Sequence, residues 1–438
     1  MATLRDIQDQ IEARLKDLCC LGSKPGLERI SSLLAELDHP EQGLAYVHVA
    51  GTNGKGSTSL MIAEILIAAG YRVGRYSSPH LHSYRERFTV NGEEIEDQEL
   101  WAYLEETEKH IGAMLKRGEE HPTEFEVLTA VAFQYFAGRG VDVAVLEVGM
   151  GGTYDSTNVI KPLVAVITSV DFDHTSFLGS TLAEIAWNKA GIIKPGVPVV
   201  TGILGAEANQ VISARAAGLG AAVHSSSDLH IITSAASSPE VQMVDIEGAG
   251  WCLQGLKFSL PGEYQLKNMA VAMMTINVLQ GMGFKVEAHH VRCALGRLRI
   301  PGRLEIVSRQ PLVILDAAHN PHGARALADS LELLWPGRKR IVVMGVLDDK
   351  DRSGMIGPLC RSTRAVVVTR PMGSRSCEWR EVVAEWQKHL PFAAILEREH
   401  IEAAVGAGLD LLEDDEYLLI TGSFYVLDKA RRLFVKNN

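Results

Sequence analysis

The sequence lacks the marks of several protein classes. Its six cysteines, at 19, 20, 252, 293, 360 and 377, form no C-x-x-C pair. Adjacent Cys19 and Cys20 are poorly placed to bridge each other, so no disulfide framework is expected and buried free thiols are the simple reading. No apolar run reaches bilayer-spanning length, and Met1 to Gln10 carries Arg5, Asp6 and Asp9 with no signal-peptide core behind it. The expectation is a cytoplasmic protein with no membrane partner. Positive charge is short: 43 Lys and Arg stand against 54 Asp and Glu, and a formal net charge of −11 argues against nucleic acid. An anionic ligand would therefore need locally placed cations.

What is present is ordinary soluble composition, 46% hydrophobic and 22% charged, over 438 residues. That length exceeds what one core usually supports, so two domains are expected. The most informative stretch is His48 to Thr58. Leu44 to Val49 is apolar and β-prone, Leu60 to Ala69 has helical spacing, and between them Gly51, Thr52, Asn53, Gly54, Lys55, Gly56 and Ser57 form a loop with little side chain. Three glycines let backbone N–H groups turn inward at the positive end of a helix, and Lys55 adds a full charge. This is a phosphate cradle of variant form: the strict pattern needs Gly where Val49 stands, and Gly56 separates Lys55 from the hydroxyls.

Along the chain, residues 3–20 and 27–37 read as helices, and Tyr71 to Tyr76 reads as a strand ending in Ser77-Ser78-Pro79-His80-Leu81-His82. That loop is either an ordinary strand-end turn or a place where hydroxyls and imidazoles are presented. Helices are expected near 97–117 and from Thr123 to Gly138. Val141 to Val148 reads as a strand covered on both faces, with one misfit, Glu147, beside Gly149-Met150-Gly151-Gly152. A carboxylate there is a metal ligand or one half of a salt bridge, since an unpaired buried carboxylate is costly. Leu163 to Val170, the next strand, runs into Asp171-Phe172-Asp173-His174, which is either a capped turn with a solvent-facing imidazole or a second set of ligands. Ser180 to Ala190 reads as a helix whose Lys189 would, on position alone, compensate the helix dipole.

From Pro195 to Leu260, short β-prone runs suggest edge strands completing the first domain. Helices follow, from 261 through Leu279 and over 286–298, the first carrying Gln265 and Asn268. Arg299 to Arg303 then reads as a hinge. The domains expected are 1–298, a nucleotide-binding α/β domain, and 304–438, a smaller α/β domain with strands near 312–316, 341–346, 364–369 and 417–421. The second has no phosphate loop, but polar residues end its strands at Asp316, at Asp348 to Asp351 and at Thr421 to Ser423. They would face a nucleotide if the domains closed on each other.

With these residues in view, the chain resembles the folylpolyglutamate synthases, which include dihydrofolate synthases, within the ATP-dependent Mur ligase superfamily. The carriers are GTNGKGS (51–57), SSPHL (77–81), TEFE (123–126), EVGMGG (147–152), DFDH (171–174), NKAGI (188–192), Gln265 with Asn268, PGR (301–303), DAAHNP (316–321), DKD (349–351) and TGS (421–423). Each is modest, but eleven in one order are specific. The resemblance implies a P-loop-type doubly wound, mostly parallel sheet domain and a smaller Rossmann-like α/β domain. It implies ATP in the 51–57 loop, contacted also by Asn268, Arg303 and Asp316, and two Mg²⁺ ions, one near Ser77 and Glu147 and one near Glu147, His174 and Lys189. Lys189 matches a carbamylated lysine, and His319 with Ser423 would orient the incoming glutamate. A monomer acting on folate, L-glutamate and ATP is implied. Two departures stand out: Thr153 replaces the usual Arg after EVG-x-GG, and Ala317 replaces the usual Gly after Asp316.

The chemistry is constrained by the reaction itself. An amine does not attack a carboxylate at neutral pH at useful rates, so ATP must first convert the acceptor to an acyl phosphate, which glutamate's amine then displaces. A cell-wall Mur peptide ligase would use the 51–57 loop and Glu147 equally, while TEFE and SSPHL favour folate. A nucleotide-switch NTPase would need an N-K-x-D loop, and Asn188-Lys189-Ala190-Gly191 lacks its Asp.

Overall fold

The apolar run over 141–148 forms the strand Val143–Glu147, buried along its whole length. In the computed structural model, which describes residues 4–19, 22, 24–234, 237–373 and 375–435, this strand belongs to an eight-stranded sheet. The order is Glu93–Glu94, Phe88–Val90, Val73–Tyr76, Val143–Glu147, Tyr46–Ala50, Val164–Ile167, Val199–Thr201 and Val223–Ser225. The sheet is parallel except for the edge formed by Phe88–Val90 and Glu93–Glu94. Tyr46–Ala50 lies between two strands that come later in the chain, with Val49 opposite Glu147 and Ala50 opposite Ile167. The connection after Tyr46–Ala50 runs toward Val73–Tyr76, and that after the neighbouring Val143–Glu147 runs the other way to Val164–Ile167; such a reversal places a crevice at the carboxyl ends of the strands.

The helix Glu124–Arg139 packs into the core through Val127, Leu128, Val131 and Phe136, all buried. A capping box starts it: Thr123 Oγ1 accepts from the Glu126 N–H, and Glu126 Oε2 accepts from the Thr123 N–H at 2.7 Å. Left-handed Gly140, φ 58°, ends it. Two members of the TEFE motif therefore serve this helix start, and Arg29 Nε adds a 3.1 Å contact to Glu126.

A second, six-stranded sheet runs Glu305–Arg309, Leu312–Asp316, Tyr417–Thr421, Arg340–Met344, Thr363–Thr369 and Ala394–Arg398. Only Glu305–Arg309 is antiparallel to its neighbour. Arg340, the first residue of its strand, is fully buried and donates to Tyr417 Oη at 3.1 Å, to the Leu359 carbonyl at 3.2 Å and to Glu332 at 3.3 Å. By compactness the chain divides into two units: Met1–Ile232 with Asp245–Leu256 and Lys267–Gly296, and Thr233–Val244 with Lys257–Leu266 and Arg297–Asn438.

The region from 195 to 260 differs from the sequence reading. Only Val199–Thr201 and Val223–Ser225 extend the large sheet. Leu229–Thr233, Gln242–Gly248 and Trp251–Phe258 form a separate three-stranded sheet, and Ala206–Gly218 is a helix. That helix is rich in Ala, and only Ala208, Ile212 and Ala216 are buried, so its apolar periodicity is faint. The edge strands Glu305–Arg309 and Ala394–Arg398 were also not expected; both are short and largely half-buried or exposed. The thiols are not buried as expected either: Cys252, Cys293 and Cys377 are exposed, Cys360 is half-buried, and none of these four is in a disulfide. Cys20 and the side chain of Cys19 lie outside the described residues. Among the described residues no helix is long and apolar enough to cross a membrane.

Candidate active site

The Gly-rich loop joins the strand Tyr46–Ala50 to the helix Lys55–Ala68, whose N-cap is Gly54 with φ 84°. A β-carbon on Gly54 would stand 2.2 Å from Asn268 Oδ1, and one on Gly51 would stand 1.9 Å from Thr168 Oγ1. Both positions therefore need glycine for space as well as for backbone conformation. Asn268, from the helix Glu263–Gly281, is thus brought directly against the loop.

The loop is strapped to the chain segment after Val164–Ile167. The Thr52 N–H donates to the Ser169 carbonyl at 2.9 Å, and the Asn53 N–H donates to Ser169 Oγ at 2.9 Å. Thr168 Oγ1 and Ser169 Oγ donate to the Asn53 carbonyl at 2.7 and 3.0 Å. Thr52 Oγ1 donates to the Asp171 carbonyl and accepts from the Asp171 N–H, both at 3.0 Å. Lys55 Nζ folds back on the carbonyls of Gly51, 3.0 Å, and Thr52, 3.4 Å. Sequence reasoning singled out Thr52 and Asn53 but not Thr168 and Ser169; the only signal was two hydroxyl residues following a strand.

Glu147 ends its strand at 4% exposure. Its carboxylate lies 3.5 Å from where a β-carbon on Gly56 would sit, at the first turn of the loop helix, with Ser57 beside it in sequence. Glu147 Oε2 accepts the N–H of Ser78 at 3.2 Å, whereas the N–H of Ser77, the hydroxyl singled out for metal, donates to the Arg87 carbonyl at 3.1 Å. The Ser78 amide thus ties this loop to Glu147. Phe125 of TEFE packs over the glycines that follow: a β-carbon on Gly149 would stand 2.6 Å from its ring.

Lys189 sits at 2% exposure near the end of the helix Leu182–Ala190. Burial, with Lys55 as a second contribution, lowers its pKa from 10.5 to about 7, while Asp173 pulls the other way. Thr153, at the position of the usual Arg, grips this helix end: its N–H and Oγ1 reach the Asn188 carbonyl at 2.9 and 3.0 Å. Asn158 ties the Thr153 and Gly191 carbonyls together at 3.0 and 3.2 Å, a contact with no local pattern to single it out. His174 has φ 50° and precedes the short helix Thr175–Leu178, its ring 3.9 Å from Asp173.

In the second unit, Asp316 ends Leu312–Asp316 opposite Thr421, two residues before Ser423. It is 4% exposed and works as a junction: Oδ2 accepts from the Leu304 N–H at 2.9 Å and from Tyr264 Oη at 3.2 Å, and Oδ1 accepts from the Ala318 N–H at 2.9 Å. Burial raises its pKa, and Arg303 opposes that rise. The Ala317 N–H donates to the Gly302 carbonyl at 2.8 Å, and Ala317 is not among the residues with positive φ, so its β-carbon is tolerated. His319 Nδ1 lies 2.9 Å from the Ala317 carbonyl, which can only accept, so that nitrogen carries the proton. The Phe424 ring lies 6.0 Å from the His319 ring and 5.0 Å from the Arg303 guanidinium. Ser423 Oγ caps the helix Phe424–Arg432. Asp348 and Asp351 are engaged locally: Asp348 accepts two backbone N–H groups and meets Arg352, and Asp351 caps Arg352–Leu359.

Among the described residues no group of three or more His, Cys, Asp or Glu could hold a metal ion. The donor placed at the loop is instead the Glu147 carboxylate, beside the first turn of the loop helix, with the serine hydroxyls of 77 and 78 next in the chain to the amide it accepts. That incomplete oxygen-rich set fits Mg²⁺, which keeps several waters and completes its octahedron with substrate phosphates rather than with a protein cage.

Comparison with known proteins agrees with this geometry. Residues 49–276 match the Mur ligase middle domain and residues 302–424 the Mur ligase glutamate ligase domain. The chain is 39% identical over 354 residues to the dihydrofolate synthase/folylpolyglutamate synthase of Bacillus subtilis, covering 80% of this chain and 81% of that one. It superposes on a Mycobacterium tuberculosis folylpolyglutamate synthase complexed with ADP and AMPPCP with a TM-score of 0.92 and 32% identity, covering 99% and 100%. Against Escherichia coli FolC in complex with DHPP and ADP the TM-score is 0.85 at 30% identity, covering 96% and 97%. The chain is therefore an ATP-dependent ligase and belongs to the folylpolyglutamate synthase/dihydrofolate synthase family of Mur ligases.

Proposed function

We propose that the chain phosphorylates a folate carboxylate with ATP and joins L-glutamate to the resulting acyl phosphate. The acceptors are the terminal γ-carboxylate of a reduced folate and the pteroate carboxylate of dihydropteroate. The observation that carries the reading is the meeting of the strapped phosphate loop, buried Glu147 and the Asn268 side chain at the carboxyl ends of adjacent strands. Two acceptors are assigned because the Bacillus subtilis relative is named for both activities and the Escherichia coli relative holds DHPP.

In this reading the 51–54 N–H groups and Lys55 bind the triphosphate, and Asn268 borders it. Mg²⁺ held by Glu147, the 77–78 hydroxyls, His174 and Lys189 would neutralise charge on the phosphoryl donor and on the acceptor carboxylate. Lys189 serves as a carbamate, formed from its neutral amine and CO₂, which turns a cation into an oxygen ligand. Arg303 and Asp316 are assigned to the nucleotide. His319 and Ser423 are assigned to glutamate: His319 with Nδ1–H on a carbonyl keeps Nε2 as the accepting nitrogen for an amine proton. The domain limits 1–298 and 304–438, with a hinge at 299–303, belong to the same proposal.

The test supplies Mg-ATP and labelled glutamate with dihydropteroate or tetrahydrofolate in separate reactions. Label in both products is expected. Label in neither, with nucleotide hydrolysis independent of folate and glutamate, would overturn the reading.

A further inference from the structure

The sequence reading of the 77–83 loop stopped at its hydroxyls and imidazoles and left open what holds it in place. In the structure one carboxylate does. Glu86 Oε2 accepts the N–H of Leu81 at 2.7 Å, and Glu86 Oε1 accepts those of His82 at 2.6 Å and Ser83 at 2.9 Å. Ser83 Oγ in turn accepts the Arg85 N–H and caps the turn Tyr84–Arg87 that carries Glu86. The far end of the loop is pinned where the Ser77 N–H donates to the Arg87 carbonyl. Between these two anchors stands Ser78, whose N–H reaches Glu147.

A carboxylate that accepts three backbone N–H groups is occupied by the protein itself, so its part is geometric. Without it, three amides of one short loop would turn to water, and the segment between the anchors would lose its fixed distance to Glu147. Arg75, on the strand Val73–Tyr76, lies within electrostatic reach of Glu147 and, with smaller effect, of Glu64, Glu86 and Glu94.

We propose that Glu86 is a positioning residue for the phosphoryl-transfer site, holding the 77–83 loop so that Ser78 and its neighbours meet Glu147. The inference rests on the reading of Glu147 as the site's metal-holding carboxylate.

Glu86→Gln tests it, because the amide keeps the volume but turns one acceptor into a donor facing N–H groups. The expected result is a fall of about 10- to 100-fold in kcat and a several-fold rise in the Mg²⁺ concentration for half-maximal turnover. KM for glutamate should stay unchanged, amide-hydrogen protection at Leu81, His82 and Ser83 should fall, and Glu86→Asp should restore part of the activity. Wild-type kcat and Mg²⁺ dependence in Glu86→Gln would overturn the proposal, even if its melting temperature dropped. If Glu86→Gln does not fold, Glu86→Asp carries the same comparison, with intermediate values expected and wild-type values overturning. Failure of the functional reading is seen separately, as absence of folate-dependent turnover in the wild-type chain.

Discussion

Lys189 is buried within electrostatic reach of Lys55, and the two ammonium groups oppose each other's charge. Burial is the larger cause, and together they bring Lys189 to about pH 7, where half of its amine is neutral. That is the state that would react with CO₂ in the proposed function, and the nearby Lys55 ammonium would stabilise the resulting carbamate anion.

Activity should therefore rise with bicarbonate and fall as pH drops below about 7, where Lys189 is protonated. Lys189→Ala should lose most turnover and regain part of it with short carboxylic acids, and mass spectrometry after ¹³C-bicarbonate trapping should find the adduct on Lys189. Turnover indifferent to CO₂ and an unlabelled lysine would reject the carbamate.

The same group makes a stability prediction for protein kept free of CO₂. Its folded pKa is lowered from 10.5 to about 7, so between those values the unfolded chain binds more protons than the folded one. Stability must rise with pH through that window and be lost as pH falls toward 7. Lys189→Met should flatten that slope in urea titrations at a series of pH values, and an unchanged slope would count against the burial argument.

Lys55→Ala removes an ammonium whose hydrogen-bond acceptors are two carbonyls of its own loop, Gly51 and Thr52. The fold should persist by circular dichroism while kcat falls by roughly 10²- to 10⁴-fold, as for other electrostatic contacts made at the reacting phosphoryl group. Near-normal kcat would remove the loop from its central place.

Gly54→Ala meets two obstacles, a φ of 84° and Asn268 Oδ1 at 2.2 Å. Left-handed strain of about 1–3 kcal/mol corresponds to roughly a 5- to 150-fold loss in kcat/KM for ATP. Measured against Asn268→Ala alone, adding Gly54→Ala should then cost only the part due to φ. No loss in that comparison would assign the whole effect to crowding.

Arg340 predicts stability rather than activity. Replacing this fully buried guanidinium by Ala leaves the Leu359 carbonyl, Tyr417 and Glu332 without their donor and should cost about 3–5 kcal/mol in denaturant unfolding. A change below about 1 kcal/mol would mean that water replaces the side chain.

The large sheet was legible because its strands are continuous apolar runs and the residues ending them are polar, so Glu147 and the 51–57 loop stand out as exceptions in their own segments. What hid was of two kinds. The helix Ala206–Gly218 and the edge strand Ala394–Arg398 bury one weak face or almost nothing, so burial left little periodic trace in them. The contacts of Ser169 with Asn53 and of Asn158 with Gly191 join segments 116 and 33 residues apart, and no local pattern encodes them. The bond from the Ser78 N–H to Glu147 is hidden in the same way: residues 78 and 147 lie far apart in the chain, and only the folded backbone brings them together.

The reciprocal bonds between Thr52 Oγ1 and the backbone of Asp171, with those of Thr168 and Ser169 to Asn53, fix the loop backbone through the protein's own contacts. A phosphate arriving there has little backbone entropy left to remove, so the binding energy of its contacts is retained rather than consumed in ordering. Encounter with nucleotide then becomes a matter of diffusion and charge, not of waiting for a rare conformer. The loop amides at 52 and 53 should exchange with solvent about as slowly before nucleotide arrives as after.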